Sequence, residues 1–445
     1  MATTSIYRTP SAGDLNKWTM SFWVKRATTG GHHHLASAVT GGDNTVMKIS
    51  NDDVLYFEEY QSSAVGYLKT TRVFRDPGAW YHIVFVWDTD NVTSGDRMIL
   101  YVNGVRETDF TTETYPGSGQ DSLWNSAMQN TIGEKGSAGY FDGSMSHIHF
   151  CDGYAYAASD FGQTDSTSGI WKIKTSPSVS YGTNGFFLKM EDRTNLDLDS
   201  SPNAHTFTTG GTLTATYDNP SNNFNTLNPL NETYSAFSHG NTTCVGTNAG
   251  DNGGSSSTLA PAAGKWYAEC KVVTIVSAYP SVGVRQINNS NFNSISNGAA
   301  GFCGYNNYEV GFNGNGDLLV NNSVSSSWGS SLSGGDILQF AVDCDNGAIY
   351  IGVNNTWQNS GVPTSGATKT GAATTWTPGP TFQGINFGDA GYNGSTSSWN
   401  FGNGYFGTTA VTSAEADGDG IGAFEYAPPT GYFATCTKNI KTYGG

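Results

Sequence analysis

The residues with the most obvious chemical capacity are Glu415-Ala416-Asp417-Gly418-Asp419. Acidic residues at alternate positions of a strand point into one cleft, which is how a carboxylate pair flanks a glycosidic bond. Here the D-G-D-G context reads as a turn and not a strand. Asp417 and Asp419, close together in a turn, suit a hard cation, and Ca²⁺ is the metal such a pair would take. The full EF-hand pattern is missing, and a solvated Asp-rich turn is the other reading. Asp197 and Asp199, just before Ser200-Ser201-Pro202-Asn203, carry the same two readings. His32-His33-His34 is the one histidine cluster. Three consecutive side chains on a strand cannot all face one metal. The sequence holds no G-x-S-x-G elbow, P-loop or H-E-x-x-H motif. No catalytic residue is therefore expected.

Sugar binding asks for exposed aromatics beside amides and carboxylates. Tyr305-Asn306-Asn307-Tyr308 and the Ser-rich loop carrying Trp328 have that composition, and are the candidate ligand-binding residues. Packing of the same rings into a core is the alternative. The net charge is −16, and no Lys/Arg cluster offers phosphates a basic surface, so no nucleic-acid partner is expected. No apolar run reaches 18 residues, so no membrane insertion by a helix is expected. The opening MATTSIYRTPSAGD lacks a basic start followed by an apolar run. Synthesis and folding in a cytoplasm are expected from this. Cys151, Cys244, Cys270, Cys303, Cys344 and Cys436 are sparse and form no C-x-x-C pair, and are expected as buried free thiols without structural disulfides.

The elements that must carry these residues are strands. Charged residues are 13% of the chain, about half the usual share of roughly 25%. Gly, Asn, Ser and Thr abound, which suits short strands joined by many turns. In WTMSFWVK (residues 18–25), Trp18, Met20, Phe22 and Val24 alternate with Thr19, Ser21 and Lys25, which predicts a half-buried strand. YHIVFVW (residues 81–87) is apolar on nearly both faces and predicts a strand inside a sandwich. Residues 98–102 predict another, followed by an Asn103-Gly104 hairpin turn. Residues 144–150 and 185–190 add two more. After an Asn- and Pro-rich stretch at residues 217–228, read as a linker or boundary, the logic repeats. WYAECKVV (residues 266–273) and ILQFAV (residues 337–342) predict strands, and Asp345-Asn346-Gly347 turns the second into residues 348–353. No helical period runs beyond about three turns. The fold class is all-β, with two tandem jelly-roll-type β-sandwich domains expected at residues 1–217 and 218–445.

The first half resembles the laminin-G, or concanavalin-A-like, jelly roll through WTMSFWVK, GAWYHIVFVWD (residues 78–88), ILYVNGV (residues 99–105) and GYFDGSMSHIHF (residues 139–150). The second half resembles a SPRY domain through GKWYAECKV (residues 264–272), SVGV (residues 281–284), GDILQFAVDCDNGAIYIGVNNTWQNSG (residues 335–361) and the repeated NFG at Asn386 and Asn400. NNFNTLNPL (residues 222–230) and FEYAPPTGYFATCTKNI (residues 424–440) resemble segments of tailed-bacteriophage structural proteins of the marine phage type. That resemblance implies a virion protein such as a tail fibre, receptor-binding protein or head decoration, and the function expected is a virion-surface structural and binding protein, tail- or fibre-associated, that recognises a host-surface glycan. The resemblance also implies other virion proteins as partners. A capsid decoration or adaptor without ligand, and a polysaccharide depolymerase, are the alternatives. Without heptads or a 20-to-50-residue repeat, a compact accessory is expected, docked on the particle as a symmetric homo-oligomer.

Overall fold

In the computed structural model, residues 3–249, 253–287, 303–304, 308–379 and 382–444 are described. The chain divides into two compact units, Met1–Ala215 and Thr216–Gly445. Each is built on two large β-sheets, and helix is confined to short segments such as Ala158–Phe161 and Thr437–Tyr443. The protein is all-β, two tandem β-sandwiches, as the strand patterns imply.

In the first unit an eight-stranded sheet packs on a six-stranded one. Trp18, Met20, Phe22 and Val24 on Lys17–Arg26 face inward, with Ile83, Phe85 and Trp87 of the neighbouring Tyr81–Asp88. Leu55, Phe57 and Leu68 come from the opposite sheet. Trp18 meets Phe57 edge-on at 5.8 Å, and Phe57 meets Phe85 at 5.3 Å, so aromatic edges lock the two sheets together. Asn103 and Gly104 turn the Met98–Val102 strand back with φ of 48° and 84°, the double positive φ of a tight hairpin. A side chain at Gly104 would also strike the Trp171 ring at 2.5 Å.

The expectation of a half-buried strand at residues 18–25 is corrected. Thr19, Ser21, Trp23 and Lys25 are buried as well. Over Thr19, Ser21 and Trp23 the cause is a third layer: Ala158–Phe161 and the hairpin Gly162–Thr164/Trp171–Ile173 lie over the outer face of the six-stranded sheet. Phe161 and Ala158 cluster there with Val84, Val86 and Cys151. The sheet's outward polar groups must then find partners inside the protein. His82 is fully buried, and burial holds its imidazole down at about 3. The Trp171 indole donates to its Nδ1 at 3.1 Å, and Ser21 Oγ lies 2.9 Å from its Nε2. An indole N–H only donates, so Nδ1 is the acceptor and the neutral ring carries its proton on Nε2. Ser21 therefore receives a hydrogen bond. The pair is the reverse of a serine activated by a histidine base.

The second unit repeats the plan with a seven-stranded sheet against a nine-stranded one. Trp266, Ala268, Cys270 and Val272 of Lys265–Thr274 point into the core, against Leu338, Phe340 and Val342 of the paired Ile337–Asp343. The outward residues Tyr267 and Glu269 are buried too. Phe424, Tyr432, Ala434 and Cys436 cover them. Glu269 fixes this cover. Its carboxylate accepts from the backbone N–H of Glu425 and Tyr426, both at 2.8 Å, from Tyr267 Oη at 3.0 Å and from Asn400 Nδ2 at 3.2 Å. Burial nonetheless pushes its pKa up to about 7. Asp389 is buried beside Trp399 Nε1, at 2.8 Å, and Ser397 Oγ, and burial raises it to about 6. Residues 217–228 are no free linker: Phe224 is buried in this unit, and Asn225 and Thr437 exchange backbone bonds with Thr435 and Asn223. All six cysteines are buried and free.

Two outcomes are expected. Trp171→Phe keeps the ring and removes the donor, leaving His82 Nδ1 unsatisfied, and should cost about 1–2 kcal/mol in urea unfolding. It should also expose residues 153–181 to protease. The second concerns pH. Glu269 and Asp389 bind protons more tightly when folded than their ordinary values of 4.5 and 3.8 allow. The second unit should gain stability as pH falls from 8 to 5, because the raised groups stabilise below the unfolded values and lose that contribution through 6–7. His33, His34 and His147, held by burial at about 4, work the other way: the first unit should weaken below about pH 6.5. Amide exchange corrected for intrinsic rates reads each unit separately, and Glu269→Gln should flatten the second unit's response.

Candidate ligand-binding face

The third layer covers the six-stranded sheet of the first unit. The eight-stranded sheet carries a different outer surface. Along Val54–Tyr60, Leu55, Phe57 and Glu59 are buried inward, and Tyr56, Glu58 and Tyr60 alternate outward, half-buried. Strand register sets their neighbours. Lys48 of Asp43–Ile49 lies opposite Tyr56, which lies opposite Lys69 of Ala64–Val73, which lies opposite Thr112 of Phe110–Thr114. In the next row Val46, Glu58, Tyr67 and Thr114 line up in the same way. Asn44 stands opposite Tyr60. Three tyrosine rings, a carboxylate, two ammonium groups and two exposed threonine hydroxyls thus share one face, on which Asn44 and Val46 are buried.

The face is ordered by its own contacts. Tyr56 and Tyr67 meet edge-to-face at 4.4 Å. Lys48 Nζ lies 4.4 Å from the Tyr56 ring centroid, a cation–π distance. Lys69 Nζ pairs with Asp52 at 2.7 Å. Burial first, then the neighbouring Tyr67 and Glu58, push the Tyr56 hydroxyl well above the usual tyrosine range, so it remains a donor. Burial lowers Lys48 below the ordinary lysine value. Beneath the face, Glu59 takes Thr45 Oγ1 at 2.6 Å, Ser122 Oγ at 3.0 Å and the Leu123 N–H at 2.9 Å, which ties the strands to residues 122–124. The backbone under the rings is therefore rigidly held, as a preorganised site needs.

The residues singled out from sequence fall elsewhere. Tyr305, Asn306 and Asn307 lie outside the described residues. Tyr308 packs on Trp376 at 5.9 Å and on Phe382 at 6.2 Å. Trp328 meets Phe312 edge-on at 6.2 Å. Both are half-buried against the second unit's core, with separate ring partners. Asp417 is buried. Its Oδ1 accepts from the N–H of Ile421 at 2.8 Å and Gly422 at 3.2 Å, and its Oδ2 from the Ala434 N–H at 2.8 Å and Asn439 Nδ2 at 2.9 Å. Four N–H donors on one carboxylate hold a turn closed and leave little for a cation. Asp419 is exposed and accepts from Tyr443 Oη at 2.9 Å. Asp199 is used likewise, by the N–H of Phe187, Ser201 and His205. His33 and His34 are buried, and His34 Nδ1 bonds the Gly139 carbonyl at 2.7 Å. Among the described residues no group of three or more His, Cys, Asp or Glu is placed to hold a metal ion. The signal for Tyr56, Glu58 and Tyr67 is present in the sequence as the alternation of VLYFEEY (residues 54–60).

Residues 2–158 match the family model described as the concanavalin A-like lectin/glucanases superfamily, of laminin-G type, and these residues contain every member of the face. No curated protein matches the sequence. Among solved structures, the chain is similar to the SPRY domain of human HERC1, at 13% identity over 39% of this chain and 96% of that one, with a TM-score of 0.30. It is similar to the heptameric SAP-like pentraxin of Limulus polyphemus, at 16% identity over 47% and 90%, with a TM-score of 0.30. Domain 4 of AbnA, a GH43 extracellular arabinanase of Geobacillus stearothermophilus solved with arabinotriose, is similar at 16% identity over 33% and 65%, with a TM-score of 0.25. The family match over residues 2–158 gives the first unit a lectin-like fold.

The lone-pair accounting at Asp417 gives a direct check. EDTA or added millimolar Ca²⁺ should leave the second unit's unfolding midpoint unchanged. Asp417→Ala, which orphans four buried donors, should lower its stability by roughly 3 kcal/mol. A Ca²⁺-dependent midpoint would show instead that the Asp417 turn, or another part of the unit, takes the ion.

Proposed function

We propose that the protein is a non-catalytic glycan-binding protein that works on the surface of a tailed-bacteriophage particle, as a tail- or fibre-associated adhesin. The observation that carries the binding half is the outer face of the eight-stranded sheet, where Tyr56 and Tyr67 stand in register with Lys48, Glu58 and Lys69. A sugar offers an apolar C–H face and a rim of hydroxyls. Half-buried tyrosines match the first, and the ring of charged groups and the threonines matches the second. The lectin-type match over residues 2–158 supports the same reading. Glu58 supports binding over cleavage. Its partners across the strands are Val46 and Tyr67, and its neighbours along the strand face are Tyr56 and Tyr60. A glycosidase needs two carboxylates on one face. The other carboxylate near the face, Asp52, is held in an ion pair with Lys69 at 2.7 Å.

The particle half rests on the phage-type segments at residues 222–230 and 424–440. On this reading the chain docks on other virion proteins, as a symmetric homo-oligomer because virion sites are symmetric. Antibody to the chain should label tails of intact particles in electron micrographs. On a glycan array, Tyr56→Ala and Tyr67→Ala should each weaken retention at least about tenfold, the scale of losing an aromatic anchor, with unfolding midpoints little changed. Release of reducing ends from host capsule or lipopolysaccharide by the purified protein would sink the non-catalytic reading.

A further inference from the structure

The outer face of the eight-stranded sheet closes its own charges. It carries two ammonium groups, Lys48 and Lys69, and two carboxylates stand with them: Glu58 on the face, and Asp52 in the turn between Asp43–Ile49 and Val54–Tyr60. Asp52 pairs with Lys69 Nζ at 2.7 Å and accepts from Ser50 Oγ at 2.5 Å. Glu58 lies directly opposite Val46 on one side and Tyr67 on the other. Lys48 and Lys69 are two residues further along those same two strands, on the same face. A diagonal cross-strand position is within reach of a long side chain, so Glu58 stands between both lysines. Lys48 Nζ also rests over the Tyr56 ring, 4.4 Å from its centroid, where the ring's negative face meets it. These four charged groups sum to zero, in a chain whose net charge is −16.

Balance of this kind selects against charge in a ligand. A carboxylate or sulfate laid on the face has to share Lys69 with Asp52, or Lys48 with Glu58, and so comes to lie beside a like charge. A ligand ammonium group meets the same obstacle in Lys48 and Lys69 when it approaches Glu58. Either ion also gives up hydration, and a counter-charge already matched does not offset that cost. An uncharged hydroxyl both donates and accepts. It can bond to Glu58, and to Thr112 and Thr114, exposed along Phe110–Thr114, without separating an ion pair. The tyrosines round Glu58 supply the apolar part of the contact. Tyr56 and Tyr60 flank it along its own strand and Tyr67 stands opposite, a surface for the C–H face of a sugar. On the glycan-binding reading above, we infer that the face takes an uncharged glycan, and that its closed ion pairs select against both acidic and amino sugars.

The test uses the full chain and three matched pairs of immobilised polymers: dextran with dextran sulfate, methyl-esterified polygalacturonate with polygalacturonate, and fully acetylated chitosan with chitosan. Each pair keeps the backbone and changes the charge, to sulfate, carboxylate or ammonium. Binding is read at about 50 and about 500 mM salt, because the higher salt screens the chain's overall negative field to a few ångströms. The uncharged member of at least one pair should bind at least about tenfold more tightly than its charged match at the higher salt, and should change less than about twofold between the two salts. Asp52→Asn, which takes from Lys69 its carboxylate, should narrow the gap between an uncharged polymer and its acidic match by about threefold to fivefold, the scale of one exposed ion pair. Lys174→Gln, which removes a charge bonded to the Ser159 carbonyl in the layer over the other sheet, should leave the gap as it is. Equal or tighter binding of the charged members, lost in Tyr56→Ala, overturns the inference and leaves the glycan reading standing. So does a gap that Asp52→Asn leaves unchanged. Binding to none of the six polymers, or binding that Tyr56→Ala leaves intact, overturns both.

Discussion

In each unit one β-sheet is buried on both faces, and most of the polar architecture follows from that. A sandwich ordinarily wets its outer faces, so outward side chains find water. Here Ser21, His82 and His149 on one sheet, and Tyr267 and Glu269 on another, point outward into protein. A buried polar group without a partner costs more than its hydrogen bond returns. Each therefore acts as an anchor for the layer above it. Trp171 is held by His82, Tyr181 Oη lies 3.0 Å from His149 Nδ1, and the backbone at Glu425 and Tyr426 is held by Glu269. The extra layers are specified by the groups they desolvate.

The same constraint decides where a ligand can go. With the six-stranded sheet covered, the eight-stranded sheet is the one whose outer face carries half-buried tyrosines and exposed threonines. In the second unit the seven-stranded sheet has glycines at Gly283, Gly311 and Gly388, and an added Cβ at each would meet Cys303 within about 3 Å. Cys303 and Arg285 are buried over that floor. Its outer face is thus occupied there by the unit's own side chains, where Tyr56, Glu58 and Tyr67 of the first unit remain half-buried.

The strands were legible because their signal is local. YHIVFVW declares a strand buried on both sides, and Asn103-Gly104 declares its hairpin, since double positive φ is a property of two residues. The burial of Thr19 and Ser21 was not legible, because what covers them comes from residues 153–181. Alternation says which residues share a face and is silent on what lies over it. Tyr56, Glu58 and Tyr67 were hidden for the same reason. Their spacing is that of any solvated sheet surface until register sets Lys48 and Lys69 on either side of Tyr56. Attention to loops favoured Tyr308 and Trp328, whose rings pack on Trp376 and Phe312.

Carboxylates separate structure from function most sharply when their lone pairs are counted. Asp417, Glu269, Asp199 and Glu59 look in sequence like acids free to bind or react. In the fold each accepts three or more hydrogen bonds, some local and some from groups remote in the chain, such as Ala434 and Asn439 for Asp417. An acceptor so occupied has little capacity left for a metal or a sugar hydroxyl, whatever its motif. Glu58 is the contrasting case: half-exposed, beside one tyrosine hydroxyl, on a face where Lys69 is matched by Asp52. It retains acceptor capacity where aromatic surface is also available. That coincidence, and not the presence of an acidic motif, is what supports the proposed binding role of the face.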